Sequence, residues 1–378
     1  MPARAFSFEV QHRSANSSAR CSTFTTPHGE LALPTFMPVG TLGTVKGVTI
    51  DQVRESGAQV VLGNTYHLAL RPGSETVRNL GGLHQFMGWS GPILTDSGGY
   101  QIFSLANRTR ITEEGAVFQS HIDGRTIELT PERSIAIQED LGSDIVMVLD
   151  HVVPLPSQKR EVAIAMERSL RWAARCREVA RRDDQALFGI VQGGLDAGLR
   201  EQSAKGLVSI DFTGYAIGGL SVGETQEEMV DTLACTVAHL PQSRPRYLMG
   251  VGRPEDILLA ISQGVDMFDC VLPTRSGRHG AAFTAGGVVR VKNEHHRQEK
   301  LPLDAECPCI ACKHSLGYLR HLFVSGEMLG PILLSIHNLT YYQRLMHGAR
   351  EAIRADRYQD FCKACFEGWQ IASEDQNT

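Results

Sequence analysis

Eight short apolar runs, spaced along residues 36–268, limit most strongly how this chain can fold. The runs are continuous and often contain β-branched residues, which is typical of buried strands in a parallel sheet covered on both faces. They are Phe36–Val39, Val60–Gly63, Ile93–Thr95, Ile145–Leu149, Leu187–Val191, Tyr215–Gly218, Tyr247–Met249 and Met267–Phe268. Segments with helical periodicity lie between most of them, including Glu161–Arg181, Thr225–Leu240 and Pro254–Ser262.

Strands that alternate with helices in this way predict an α/β fold, and eight of them predict a (β/α)8 TIM barrel. An open doubly wound sheet is the alternative. Two segments do not fit the alternation. Residues 1–35 are expected to form N-terminal antiparallel strands that cap one end of a barrel body at 36–279, and residues 280–345 an inserted subdomain. Residues 346–378 are expected to form a C-terminal helix and tail, so that 1–378 make one domain.

Charge and hydropathy restrict the partners of the chain. The formal net charge is −5, so binding to nucleic acid requires a local basic patch. A candidate for such a patch lies around the seventh and eighth strands, although charge alone favours a solvated charged face there. Its residues are Arg244, Arg246, Arg253, Arg275, Arg278, Arg290, Lys292, Arg297 and Lys300. No apolar run is long enough to span a bilayer and no signal-peptide core is visible, which predicts a cytoplasmic protein without membrane contact.

Three aspartates follow predicted strands directly, namely Asp96, Asp150 and Asp269. In a barrel, the loops after the strands open onto one face, where active sites are built. The alternative is that each aspartate caps the helix that follows it. Two carboxylates on either side of a sugar carbon suit chemistry at a glycosidic bond, and a retaining reaction would place them about 5 Å apart.

A cysteine cluster lies in the inserted segment at 280–345. Cys307, Cys309 and Cys312 form a C-x-C-x-x-C pattern, and three thiolates this close together indicate one structural Zn²⁺ per subunit. Spacing leaves the fourth ligand open among His314, His321, His337 and His347. A second pair, Cys362 and Cys365, lacks a partner pair and is interpreted as surface thiols of a helix.

Two long motifs resemble the signatures of the tRNA-guanine transglycosylase (queuine tRNA-ribosyltransferase) family. They are LTDSGGYQIFS at 94–104 and DMFDCVLPTRSGR at 266–278, and the cysteine motif, YLMGVG at 247–252 and His337-Asn338 match as well. The resemblance runs from about Phe6 to the C-terminal helical region. It implies one catalytic domain with the barrel fold and a zinc-binding subdomain. The implied reaction replaces the guanine at the anticodon wobble position of tRNA with a 7-substituted 7-deazaguanine.

The resemblance also implies a role for each matching residue. Asp269 would be the nucleophile that attacks C1′ of the ribose, and Asp96 the general acid/base. The residues implied in base binding are Asp96, Ser97, Gly98, Gly99, Tyr100, Asp150, Gln192, Gly219, Leu220 and Met249. Those implied in contacts with the anticodon loop are Gly250, Val251, Gly252, Arg253, Pro254, Glu255, Asp256, Thr274, Arg275, Ser276, Gly277 and Arg278. The implied zinc ligands are Cys307, Cys309, Cys312 and His337.

Two positions give mixed indications about the incoming base. Val152 resembles eukaryotic members, which use queuine, whereas Val222 and the rest of the segment at 219–224 follow the bacterial form. The favoured base is 7-aminomethyl-7-deazaguanine (preQ1), with queuine as the alternative. The family also suggests a homodimer formed through the zinc insertion. A non-catalytic RNA-binding subunit and a zinc hydrolase are the competing functions.

Overall fold

The computed structural model describes residues 6–100 and 109–375, with side chains described to residue 370. The chain begins with an antiparallel sheet, in the order β1-β2-β3, which confirms the strands predicted before residue 35. Its strands are β1 (Ser7–Arg13), β2 (Arg20–Thr26) and β3 (Gly29–Leu33).

A parallel sheet follows and closes on itself as a barrel, so the fold class is confirmed and the open doubly wound alternative is wrong. Its first strand is divided at Pro38, with one half paired to the last strand and the other to the second. The barrel begins with β4 (Thr35–Met37), β5 (Val39–Gly40), β6 (Val61–Gly63) and β7 (Ile93–Thr95). A separate small antiparallel sheet follows, made of β8 (Arg110–Ile111), β9 (Ala116–Gln119) and β10 (Thr126–Leu129). The remaining barrel strands are β11 (Ile145–Met147), β12 (Ala186–Val191), β13 (Gly214–Ile217), β14 (Arg246–Leu248) and β15 (Met267–Asp269).

Helices cover the outside of the barrel and form most of the C-terminal part. They are α1 (Ile50–Glu55), α2 (Thr65–Leu70), α3 (Ser74–Asn79), α4 (Gly82–Met87), α5 (Pro131–Leu141), α6 (Lys159–Val179), α7 (Ala197–Ile210), α8 (Gln226–Val237), α9 (Pro254–Ser262), α10 (Leu272–His279), α11 (Leu316–Val324), α12 (Leu329–Arg354) and α13 (Tyr358–Asp375). The inserted segment also contains a hairpin, β16 (Ala281–Thr284) and β17 (Gly287–Arg290), and the 3-10 helices Glu294–Gln298 and Ile310–Lys313.

Local sequence explains where these helices begin and which face they bury. Helix α8 begins after Thr225, whose side chain accepts from the Glu228 amide while the Glu228 side chain accepts from the Thr225 amide. Pro254 occupies the first turn of α9, where its missing N–H has no cost. Helix α6 buries positions spaced three or four apart, from Val162 to Cys176, which fits the predicted amphipathic helix.

The N-terminal sheet covers the end of the barrel where the strands begin. The Arg20 guanidinium donates to both carboxylate oxygens of buried Asp266, just before β15, at 2.9 and 2.6 Å. Phe24 of the same sheet packs against Phe188 of β12. Among the described residues, the N-terminal sheet covers this end of the barrel, and a cavity opens at the carboxyl ends of its strands.

The predicted basic patch is wrong for two arginines. Arg246 is the first residue of β14, so it lies buried at the closed end, where it donates to Leu240 O at 3.0 Å. Arg244 lies two residues earlier and pairs with Asp211. Arg246 lies at the start of β14, whereas the loop that borders the cavity follows the end of β14. The sequence pattern did not show which residues lie at which end of the barrel.

Three further differences concern the added segments. The sheet β8–β10 after the third barrel strand was not predicted. Helix α12 runs continuously through the boundary proposed between residues 345 and 346. Cys362 and Cys365 are half-buried on α13, and burial raises the pKa of both thiols to about 11, so they are not surface thiols. Among the residues described, no helix is long and apolar enough to cross a membrane.

Candidate active site and metal centre

A cavity of about 470 Å³ opens at the carboxyl ends of the barrel strands. It brings together residues from the loops after seven strands, as expected for strand-end residues of a barrel. Its lining contains the candidate nucleophile Asp269 and most of the predicted base-binding residues: Asp96, Ser97, Gly98, Gly99, Tyr100, Asp150, Gly219, Leu220 and Met249. Gln192 is buried behind it, against Asp150.

Asp269 is the last residue of β15 and is held by two donors on one oxygen. The Tyr247 hydroxyl donates to Asp269 Oδ1 at 2.6 Å, and the Gly250 amide donates to the same atom at 2.8 Å. Burial raises the pKa of Asp269, and these two hydrogen bonds reduce the rise by stabilising the ionised form. Both bonds fall on Oδ1, so the carboxylate is fixed in place while Oδ2 can face a ligand in the cavity.

Asp96 directly follows β7, and the segment after β6 positions its carboxylate. The Thr65 amide donates to Asp96 Oδ1 at 2.8 Å, and the Asn64 side-chain amide donates to Oδ2. The Thr65 hydroxyl binds the Asp96 carbonyl. The side chain of Asp96 is 8% exposed, so a mainly buried carboxylate faces the cavity with its orientation set by a neighbouring loop.

Asp150 is coupled to Gln192 in a buried pair. Gln192 Nε2 donates to Asp150 Oδ2 at 2.6 Å, and Ser97 Oγ donates to Oδ1 at 3.3 Å. Burial raises the pKa of Asp150 to about 6, against the opposing effect of these hydrogen bonds. The helix-cap alternative is wrong for Asp150 and Asp269, because residues 151–154 are not helical and Val271 precedes α10.

Two glycines are required by close approach at this pair. A Cβ on Gly99 would lie 2.6 Å from Asp150 Oδ1, and a Cβ on Gly219 would lie 2.5 Å from Gln192 Oε1. Gly219 also has φ of +66°, which disfavours any residue with a side chain. The backbone at both positions therefore borders the cavity without filling it.

Three positioning residues were not found by sequence reasoning. Tyr247 and Asn64 hold the two candidate catalytic carboxylates. Arg200 of α7 is fully buried and donates to the carbonyls of Val191 and Gly218 at 3.1 and 2.8 Å, which joins the ends of β12 and β13. Asn64 could have been found, since it directly follows a strand; Tyr247 and Arg200 carry no such signal.

The predicted RNA-contact residues lie next to Asp269, but they do not all face solvent. Gly250 and Arg253 are exposed, whereas Val251, Gly252 and Pro254 are buried. In α10, Arg275 is exposed and lines the cavity, while Gly277 packs so closely on α12 that a Cβ would lie 2.7 Å from Ser335 N. Thr274 is also buried. The fully exposed charged residues of this rim are thus cationic, Arg253 and Arg275, while the acidic Glu255 and Asp256 are half-buried.

The metal centre combines the three cysteines with a histidine from α12. The ligand atoms of Cys307, Cys309, Cys312 and His337 all lie within 4.8 Å of one another. His337 Nδ1 is 3.2 Å from Cys312 Sγ, and His337 Nε2 faces Phe283 O at 2.8 Å. The carbonyl requires a proton on Nε2 and leaves Nδ1 as the ligand atom. This cluster can hold a metal ion, and three thiolates with one imidazole fit a closed structural zinc site.

The fold thereby selects among the four histidines. His347 is exposed on α12, and His321 Nδ1 lies beside Ser325 Oγ. Asn338, next to His337, accepts from the Phe283 amide and donates to the carbonyls of Pro273 and Ala281. The metal centre is therefore fastened to α10, which follows directly after Asp269.

Removing the metal should loosen this connection. Cys309→Ser is expected to lose the metal and to unfold part of 280–345, because structural zinc supplies roughly 10–16 kcal/mol in small zinc domains. Metal content and hydrogen exchange of α10 and the β16–β17 hairpin are the measurements. Cys235→Ser, a half-buried thiol on α8 outside the cluster, is the matched control. Full protection of α10 after metal loss would contradict the structural role.

Similarity to known proteins extends over nearly the whole chain. A family model described as queuine tRNA-ribosyltransferase matches residues 15–371. The chain is 53% identical over 366 residues to the queuine tRNA-ribosyltransferase of Rhizobium meliloti (strain 1021), covering 96% of this chain and 97% of the relative. It is 54% identical to that of Brucella melitensis biotype 1, with 96% and 97% covered, and 52% identical to that of Thermus thermophilus, with 95% and 93% covered.

Proposed function

The chain belongs to the queuine tRNA-ribosyltransferase family of tRNA-guanine transglycosylases, and from this premise we propose that it replaces the guanine at the wobble position of tRNA with preQ1. The reaction is a double displacement through a covalent enzyme–RNA intermediate. The observation that carries the proposal is that Asp96 and Asp269 line one cavity at the open end of the barrel. Exchange of labelled guanine into tRNA tests it directly, and no exchange by the purified protein would refute it.

The first step is recognition of a flipped-out guanine. A base must leave its stack before an enzyme can reach its glycosidic bond. Ionised Asp150 offers acceptors to the N–H groups of guanine, and the Gln192 amide fixes its orientation from behind. Tyr100 and Met249 border the same cavity and suit the two faces of a flat ring. The backbone of Gly219 and Leu220 borders the cavity as well and is assigned to the polar edge of the base.

The second step is attack at C1′ of the ribose. Asp269 is the proposed nucleophile, with Oδ1 held by Tyr247 and Gly250. As the C1′–N9 bond breaks, Asp96 protonates the leaving guanine, and it later takes a proton from the incoming base. Since a second displacement at the same carbon restores the β configuration, and one glycosidic bond replaces another, no external energy source is required.

The RNA is proposed to bind across the cationic rim through its anticodon loop. Exposed Arg253 and Arg275 can pair with phosphate groups. They provide local positive charge on a chain whose net charge is negative and would otherwise repel RNA. In the same two segments, Val251, Gly252, Pro254, Thr274 and Gly277 are buried and hold the backbone that carries these arginines. Zn²⁺ in the Cys307–Cys309–Cys312–His337 cluster would stabilise the fold and take no part in the reaction. A homodimer formed through 280–345 and a cytoplasmic location, where tRNA is found, complete the proposal.

The competing functions fit less well. A non-catalytic RNA-binding subunit does not need two ordered carboxylates in one cavity, and both are present. A zinc hydrolase needs an open coordination position, whereas three thiolates and an imidazole close a tetrahedral site. Queuine remains the alternative incoming base, and the names of the bacterial relatives contain that word.

The pH dependence of base binding should report Asp150. As the pH falls through about 6, Asp150 becomes protonated and loses an acceptor for the base, so the KM for guanine is expected to rise. The KM is measured in preference to kcat, because titration of Asp269, which acts in the chemical step, would change kcat and hide the effect of Asp150. Asp150→Asn should raise the KM at every pH and remove the inflection. A KM for guanine that stays constant across this range would show that Asp150 does not read the base.

Val222 is expected to decide the incoming base. Both Val152 and Val222 line the cavity, and Val222→Gly would enlarge it beside the 7-position of the base. We expect a lower KM for queuine in this variant, measured against preQ1 in a head-to-head comparison. Guanine, which has no 7-substituent, serves as the internal control and should keep its KM. An unchanged preference would remove Val222 as the determinant.

A further inference from the structure

Two histidines and an aspartate meet at the closed end of the barrel, away from the cavity. Asp144 lies just before β11, His84 on α4 and His28 in the turn between β2 and β3. His28 Nδ1 is 2.7 Å from Asp144 Oδ1, and His84 Nε2 is 3.2 Å from Asp144 Oδ2. The imidazole rings are stacked, with centroids 3.6 Å apart. One ligand atom from each of the three residues lies within 4.8 Å of the others.

We propose that His28, His84 and Asp144 form a second metal site that binds one divalent transition-metal cation, with Zn²⁺ as the reference ion. Two imidazole nitrogens and one carboxylate oxygen suit zinc, copper or nickel better than magnesium or calcium. Three protein ligands leave a coordination position for water. The site differs from the cysteine cluster in donor type, and it is weaker because it contains no thiolate.

The carboxylate is already fixed for this role. Asp144 is 1% exposed, and its Oδ2 also accepts from the Ile93 amide at 2.8 Å. Its backbone bonds to both neighbouring strands, to Ile93 O at 2.9 Å and from the Ala186 amide at 2.7 Å.

The two histidines differ in freedom, and this difference permits coordination. The side chain of His84 is 14% exposed, whereas that of His28 is 42% exposed. A metal lies in the plane of each imidazole that binds it, so stacked rings must tilt apart, and exposed His28 can turn. When each imidazole binds the metal through the nitrogen that faces Asp144, its other ring nitrogen carries the proton. A second carboxylate, Asp184, lies nearby but is not counted as a ligand, because Arg182 Nε and Nη2 already donate to its two oxygens.

A metal bound here would join three separate parts of the chain. It would connect the N-terminal sheet through His28, helix α4 through His84 and the start of β11 through Asp144. An ion that binds only the folded state raises stability in proportion to the logarithm of its concentration over its Kd. Because the site lies at the opposite end of the strands from the cavity, it adds stability and leaves the base exchange unchanged.

The test is metal stoichiometry in the complete protein. The wild type is dialysed against increasing free Zn²⁺, and metal per chain and the midpoint of thermal unfolding are measured. We expect a tightly held first equivalent, a second equivalent at higher Zn²⁺ and a rise in Tm with the second. His28→Gln and His84→Gln should each keep the first equivalent and guanine exchange but lose the second equivalent and the rise in Tm.

The matched control is His12→Gln, which removes a histidine of the same sheet that pairs with Asp356. It should bind both equivalents. Cu²⁺ added to wild type that carries only the first Zn²⁺ equivalent should give an electron paramagnetic resonance signal with coupling to two nitrogens, and His28→Gln should reduce this to one. The proposal is overturned if the wild type takes up no second equivalent, or if both variants take it up as the wild type does.

Discussion

Asp269→Asn is expected to abolish the covalent RNA adduct and to lower guanine exchange by roughly four orders of magnitude or more, as loss of an enzyme nucleophile does elsewhere. The amide keeps the shape of the carboxylate and can still accept from Tyr247 and Gly250, so the pocket should stay intact. What is lost is the negatively charged oxygen that attacks C1′. The adduct is measured on denaturing gels and exchange with labelled guanine.

The control for this experiment is Asp51→Asn. Asp51 is an exposed carboxylate on α1 that pairs with Arg54 and is not part of the cavity lining. Exposed pairs of this kind contribute about 0–1 kcal/mol, so the variant should fold and react normally. An adduct that persists in Asp269→Asn would mean that another group forms the bond to the RNA.

Asp96→Asn is expected to lower kcat by about 10²- to 10⁴-fold, the usual contribution of a general acid/base. Asparagine can still accept from the Thr65 amide but cannot transfer a proton to or from the base. Departure of guanine and attack by the incoming base should both slow, because each needs a proton transfer. Single-turnover measurements of adduct formation and adduct breakdown separate the two steps.

The outcome also tells proton transfer from simple positioning. If Asp96 only orients the base, then asparagine should retain activity within about tenfold of the wild type, because an ordinary hydrogen bond contributes about 0.5–1.5 kcal/mol. A pH–rate profile that keeps both limbs in Asp96→Asn would likewise assign the proton transfer to a different residue. Asp51→Asn serves again as the control for folding.

The barrel could be predicted because each of its strands is marked by a short run of neighbouring apolar residues. Each strand is a short apolar run, and all eight runs correspond to strands in the structure. The strand-end aspartates followed from the same pattern, since residues after parallel strands meet at one end of a barrel. The sheet β8–β10 was missed because its strands have two to four residues and are largely half-exposed, which leaves little periodicity to detect.

Errors arose where side chains from distant parts of the chain meet. Arg246 was assigned to the RNA-facing patch because it is close in sequence to the loop after β14, but it begins the strand and is buried at the other end. Tyr247 follows it and reaches the opposite end through its long side chain, which ends at Asp269. Position along a short strand therefore decides little until the direction of each side chain is known.

The sequence by itself determined the order of strands and helices, the carboxylates at strand ends and the three thiolates of the metal centre, because each is written in neighbouring residues. Only the tertiary structure decided that Tyr247 and Asn64 hold the candidate catalytic carboxylates and that His28 meets His84 and Asp144. It also brings His337, which the family resemblance implied, to the three thiolates. These contacts join residues about 20 to 120 positions apart. Folding brings such distant residues together by closing long loops of chain, and neither periodicity nor spacing along the sequence indicates which residues will meet.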